Sequence, residues 1–149
     1  MINKEAIFAY AKEKFDAEPD YPWDKYPDYA VLRHKKTKKW YGLIMTVQRD
    51  KVGLSGVGSV EIMNVKGDPD LNAALRSQEG ILPAYHMNRE HWLSIVLEST
   101  LAKDKVFDLL DMSYELTKKK TGKSSKNDTD ESLAKRRTKK LPVNRKPIN

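Results

Sequence analysis

Tyr29-Ala-Val-Leu-Arg-His34, Lys35-Lys36-Thr37-Lys38 and Lys39-Trp-Tyr-Gly-Leu-Ile-Met-Thr-Val47 follow one another without a break. Two runs rich in aromatic and branched residues, joined by four polar and mostly charged positions, predict a β-hairpin. Residues 29–34 and 39–47 are then antiparallel neighbours, because a connection this short cannot return a parallel strand. The rest of the fold is read outward from that pair.

On the C-terminal side, Gly53, Gly56 and Gly58 mark a crossing into a third strand over about 59–65. Asp68-Pro69 is a helix start: an acid at the N-cap, then proline in the first turn where its missing N–H costs nothing. That helix is expected to reach about Glu79, with Gly80 as its left-handed stop. Residues 83–86 read as a short extended segment. Residues 91–97 alternate Trp92, Ser94 and Val96 against Leu93, Ile95 and Leu97, the period of a strand. A last helix is expected over about 101–119. On the N-terminal side, Asn3 caps a helix over Lys4–Phe15 with Ile7, Ala11 and Phe15 as its buried stripe, and 18–27 is a proline-punctuated loop carrying Trp23. The order α-β-β-β-α-β-β-α defines an α+β class, an antiparallel sheet with helices packed on it. No internal repeat is present.

Charge divides the chain in two. Of 149 residues, 28 are Lys or Arg and 21 are Asp or Glu, a formal net of +7. Residues 118–149 hold 12 of the bases and three of the acids, a local +9; residues 1–117 hold 16 bases and 18 acids, a local −2. The excess therefore belongs to the last fifth of the chain, where Lys135, Arg136, Arg137, Lys139 and Lys140 form the densest cluster, of the kind found in nucleic-acid arms. The segment has too few apolar residues to offset its ordering entropy, so a disordered tail is expected. In the last helix, Asp104, Asp108, Asp111 and Glu115 fall in one stripe opposite Val106, Leu109, Leu110, Ser113 and Leu116. Carboxylates there read as a solvated face, repel phosphate, and offer the tail a place to dock.

The absence of cysteine excludes a disulfide scaffold, a thiolate nucleophile and cysteine-ligated metal. The N-terminus lacks the apolar run of a signal peptide, and the most apolar stretch, 41–47, is far shorter than the ~20 residues that span a bilayer. A cytoplasmic protein with no membrane association is the expectation. His86 and His91 lack the spacing of a zinc-protease helix, and no phosphate-binding glycine loop or nucleophile elbow occurs. No enzyme, cofactor or metal site is expected.

The most distinctive stretch is Gly80-Ile-Leu-Pro-Ala-Tyr-His-Met-Asn-Arg-Glu-His-Trp92. Its rings and amides either staple a turn to the sheet, with Asn88 and His86 bonding backbone groups, or form a recognition surface. Pro83, Tyr85, His86, Asn88, His91 and Trp92, with Gly80, Ile81 and Met87, resemble the signature of the MmcQ/YjbR family of small bacterial proteins. Arg89 stands where that pattern has Lys. Pro22-Trp23, Lys39-Trp40 and Ser113-Tyr114 add support. The resemblance covers about 1–118 and implies a YjbR-like α+β domain, similar to secretion-chaperone-like folds, with 119–149 as a basic tail outside the pattern. Members are labelled DNA-binding because two hairpin-like wings flank the helices, a fold-level analogy.

Two functions follow as expectations. In the first, DNA phosphates are contacted by Arg33, Lys35, Lys36, Lys38 and Lys39 of the hairpin wing, with His34 contributing partial charge, and by the tail cluster. In the second, an interaction or chaperone-like module takes a protein partner through Trp23, Tyr26, Tyr85 and Trp92 on an acidic body.

Overall fold

The computed structural model describes residues 2–118. The element order is that expected: α1 (Lys4–Phe15), β1 (Ala30–Arg33), β2 (Trp40–Gln48), a 3-10 turn at Arg49–Val52, β3 (Ser59–Lys66), α2 (Pro69–Leu75), β4 (Ile81–Pro83), β5 (Trp92–Val96) and α3 (Lys103–Thr117). The strands form one antiparallel sheet in the order β1-β2-β3-β5-β4. Among the described residues no helix is long and apolar enough to cross a membrane.

The sheet buries both faces, by different means. Ala30, Leu32, Ile44, Met63, Val65, Leu93 and Ile95 point to the face covered by α1 and α3. Val31, Leu43, Met45, Val60, Ile62 and Val96 point to the other, which is covered by side chains from loops: Trp23, Tyr29, Val52, Leu54, Tyr85 and Met87. Residues with period 2 along β2, β3 and β5 thus find apolar cover on both sides.

One irregularity sets the geometry of the hairpin. Leu32 pairs with Gly42 but Arg33 pairs with Trp40, so Tyr41 is an extra residue in β2. A bulge puts adjacent side chains on one side and bends the strand. Tyr41 accordingly joins the helical face, fully buried, while Trp40 packs on the loop-covered face. Gly42 leaves the room: a Cβ there would meet Leu32 Cδ1 at 3.2 Å and Leu110 Cδ1 at 3.5 Å.

β2 and β3 pair from Gln48↔Ser59 to Leu43↔Asn64. Continuing that register, the Lys66 N–H would meet the Tyr41 carbonyl. The Ser113 hydroxyl of α3 occupies that junction instead: it donates to the Tyr41 carbonyl (2.6 Å) and accepts from the Lys66 N–H (2.8 Å). A single buried hydroxyl satisfies two strand groups and docks the helix. Elsewhere α3 packs on α1, where the Tyr10 ring stacks on Phe107 (centroids 4.0 Å apart) and the Tyr10 hydroxyl donates to Asp111 (2.7 Å).

Two boundaries and two side-chain placements differ from expectation. The short strand is 81–83 rather than 83–86, because Pro83 brings no N–H to a ladder and the chain then turns through His86 at φ +62°. α2 ends at Leu75 rather than near Glu79, since Ser77 and Gln78 make i→i+3 turns and the Ser77 hydroxyl takes the Ala74 carbonyl. Leu116, assigned to the buried side of α3, is 44% exposed, and Thr117 takes the buried position beside Ser113. Asp111 is not part of a solvated stripe: it ties α3 to α1 through Tyr10 and Lys14 (2.8 Å).

Replacing Ser113 by Ala leaves the Lys66 N–H and the Tyr41 carbonyl unpaired in a buried junction. We expect a loss of about 2–4 kcal/mol in urea unfolding. A loss below about 0.5 kcal/mol, within the range of ordinary surface substitutions, would mean the strands close on each other without the hydroxyl.

Candidate functional site

The hairpin turn, the C-terminal end of α1 and the C-terminal end of α3 meet at one end of the domain. The turn closes through the His34 N–H to the Lys39 carbonyl (2.9 Å) and the Lys38 N–H to the His34 carbonyl (3.0 Å). Lys38 takes the left-handed conformation, φ +68°. Lys35, Lys36, Lys38 and Lys39 are exposed, so the wing expected from the sequence is present.

Its charge is smaller than the residue count implies. Lys35 Nζ bonds the Asp16 carboxylate at 2.6 Å, and this holds the Asp16 carboxyl below its ordinary range. Arg33 Nε bonds Asp20 at 3.0 Å, with the guanidinium 5.7 Å from the Trp40 ring centroid. His34 is not an exposed base. It is 7% exposed, its Nε2 lies 2.7 Å from the Thr117 hydroxyl, and its ring sits 4.4 Å from that of Tyr114. Burial, with Lys39 nearby, pushes its pKa below the ordinary value, so the expectation that it adds positive charge is corrected. Lys118 joins the group from the end of α3, paired with Glu115 at 3.3 Å. Six bases thus face three acids at this end of the fold.

Between these elements lies a cavity of about 390 Å³ lined by Phe15, Arg33, His34, Lys35, Lys36, Thr37, Tyr41, Tyr114 and Lys118. The Phe15 and Tyr114 rings stack at 3.9 Å, and Tyr41 meets Tyr114 edge-on at 4.9 Å. The sequence did not point to this cavity, because its rings come from three separated elements; Phe15 read as helix core and Tyr114 as part of a family match. The aromatics at the element ends nearest the basic turn were the available signal. The tail residues Lys135, Arg136, Arg137, Lys139 and Lys140 lie outside the described residues.

The Gly80–Trp92 stretch sits elsewhere, as a clasp over the loop-covered face. The Tyr85 N–H donates to the Ser94 hydroxyl (2.9 Å), which donates to Asn64 Oδ1, while Asn64 Nδ2 donates to the Tyr85 carbonyl (2.9 Å). Asn88 Oδ1 accepts from the N–H groups of Glu90 (2.8 Å) and His91 (3.2 Å), and its carbonyl from Trp92 (2.9 Å). The His86 ring lies against Tyr85 at 3.9 Å. Asn88 therefore staples the turn as one reading of the sequence held, whereas His86 serves by its backbone conformation and ring contact. Pro83 ends β4, and the His91 carbonyl takes the Gly67 N–H. Of the four aromatic anchors expected for a protein partner, Trp92 is buried and Tyr85 and Trp23 are half-buried; only Tyr26 is exposed. Trp92 is corrected from anchor to core. Among the described residues no cluster of His, Asp or Glu is arranged to hold a metal.

This is a small α+β domain with a bulged hairpin at one end and a polar clasp over its helix-free face, and solved structures contain close likenesses. A crystal structure of a Pseudomonas syringae protein is similar at a TM-score of 0.77 and 41% identity, covering 78% of this chain and all of that one. A Deinococcus radiodurans protein, at 24% identity and a TM-score of 0.62 over 80% of this chain and 81% of its own, shares the fold. Protein YyaQ of Bacillus subtilis (strain 168) is 52% identical over 118 residues, 79% of this chain and 100% of YyaQ. The YjbR family model matches residues 12–116, and the chain belongs to the YjbR family, as its signature implied.

Acid should loosen the hairpin–α3 junction. The pKa of His34 is held below the ordinary 6.5 by burial and Lys39. That of His91 is lowered by burial and Lys66. Between those lowered values and 6.5 the unfolded chain binds more protons than the folded one, so stability is full above that window and falls as pH drops through it. We expect urea unfolding at about pH 5.5 to show less stability than at about pH 7.5, and the His34→Gln/His91→Gln pair to lose less between the two. An equal acid loss in the pair would assign the effect to other groups.

Proposed function

We propose that this protein is a non-enzymatic DNA-binding protein that holds the duplex by its phosphates through the basic end of the domain, with the C-terminal basic segment supplying most of the affinity. The observation that carries the reading is the position of Lys118. The chain leaves α3 beside the Lys35–Lys39 turn, fixed there by the His34–Thr117 contact, and continues in sequence as Lys119-Lys120. The wing lysines and Lys118 therefore lie at the same end of the fold. The −2 of the body is no obstacle there, because Asp16, Asp20 and Glu115 are each already paired with a base. Phosphate contacts of this kind position a protein on DNA and carry little sequence information. A protein partner is the second reading, with Tyr26 and Tyr21, each 50% exposed on the loop beside Asp24 and Asp28, as its contact points.

Ending the chain at Lys120 is expected to lower duplex affinity severely and flatten its dependence on salt, by about 0.9 in log–log slope for each phosphate no longer neutralised. Replacing Lys35, Lys36, Lys38 and Lys39 together by Ala weakens all duplexes alike. Asp16→Asn does the opposite: it releases Lys35, and asparagine tolerates the left-handed conformation of residue 16 (φ +55°), so affinity rises about two- to fivefold without loss of stability. A salt slope unchanged by the truncation, together with affinity unmoved by the four alanines, would remove this reading.

A further inference from the structure

We propose that the cavity between the hairpin turn and the ends of α1 and α3 is a binding site for a nucleoside monophosphate group, an aromatic ring carrying a phosphate ester. The inference rests on the reading that this end of the fold takes phosphates, and adds to it a seat for a base.

Three observations converge. The cavity, about 390 Å³, lies within the ~300–1,000 Å³ of small-molecule sites. Its wall is built from Phe15, Tyr41, Tyr114 and His34, rings packed on one another (Phe15 on Tyr114 at 3.9 Å, His34 against Tyr114 at 4.4 Å), an apolar aromatic wall whose ring edges a planar base would meet. Its rim carries Arg33, Lys35, Lys36 and Lys118, placed for a phosphate at the mouth. Arg33, Lys35 and Lys118 have carboxylate partners in Asp20, Asp16 and Glu115, while Lys36 makes no ion pair among the described residues.

One more observation lies inside. The Tyr41 hydroxyl is buried without a hydrogen-bond partner, on a side chain that lines the cavity. Buried hydroxyls are nearly always paired, and an orphan calls for an explanation. A ring nitrogen or carbonyl of a base reaching Tyr41 completes it. The rest of the fold gains nothing from that oxygen, since phenylalanine would fill the same space without an unpaired group.

The same chemistry has two sources, a free mononucleotide or the 5′-phosphorylated end of a strand. The test is a titration of the full chain with adenosine monophosphate, inorganic phosphate, and a short single strand with and without a 5′-phosphate, followed by amide shifts of residues 33–41 and 114–118. Adenosine monophosphate is expected to bind at least about tenfold more tightly than phosphate. Tyr41→Phe should keep full stability and lose about fivefold in that affinity, the value of one hydrogen bond. Tyr114→Ala, which opens the aromatic wall, should weaken the nucleotide and leave phosphate unchanged, and Lys36→Glu, used if the alanine variant fails to fold, should weaken both. Preference for the phosphorylated strand over the mononucleotide identifies a strand end as the source, and the reverse a free nucleotide. Phosphate binding as tightly as the nucleotide, or Tyr41→Phe binding unchanged, overturns the proposal. Duplex binding that survives that result leaves the phosphate-binding reading standing, whereas loss of both removes the two together.

Discussion

The Ser113 hydroxyl, lodged where β2 and β3 part, is the contact on which the arrangement of this domain depends. The bulge at Tyr41 and the end of the β2–β3 ladder leave a carbonyl and an N–H facing each other across a widening gap. A water there would satisfy both groups and leave α3 unanchored. The serine satisfies them and fixes the helix in translation and rotation at once. Once it is in place, Tyr114 is turned onto Phe15 and His34, and Thr117 onto His34. The cavity, the closed hairpin and the point from which the chain departs α3 all follow from that docking.

The opposite face of the sheet poses a different problem. It has no helix, so its apolar residues are covered by three loops whose own backbone groups need partners. The Asn64–Ser94–Tyr85 set solves this from within the sheet, using two small polar side chains on a buried face to hold the clasp down. The most distinctive stretch of the sequence is thus explained by packing and turn geometry. A stretch that stands out by its residue types need not be the one that meets a ligand, and here the basic end, less distinctive in sequence, has the open surface.

The hairpin, α1 and its Asn3 cap, and the Asp68-Pro69 start of α2 were legible because each is decided locally, by period, cap or turn chemistry. What was not legible depended on contacts between distant segments. The bulge is invisible in a run of aromatic and branched residues, since an added residue changes the facing of Trp40 and Tyr41 without changing the composition. His34 sits among lysines in sequence and reads as one more base, yet the end of α3 buries it and keeps it neutral. Asp111 looked like a solvent-facing acid because its partners Tyr10 and Lys14 are about a hundred residues away. The candidate site was half legible: the sequence yielded the wing lysines, while the aromatic lining required the meeting of α1, β2 and α3.

Charge placement connects the docking of α3 to the proposed function. The folded body is close to neutral, its acids are partly spent on Lys35, Arg33 and Lys14, and Lys36, Lys38 and Lys39 stand exposed at the end of the fold where α3 finishes. On the function proposed above, this end, and not the aromatic clasp, meets nucleic acid. Amide shift mapping of the full chain during titration with a short duplex at low salt tests it most directly. The largest shifts among residues 2–118 are expected at 33–41 and 114–118, with residues 85–92 nearly unmoved. Shifts centred on 85–92 or on the Tyr21–Tyr29 loop would contradict it.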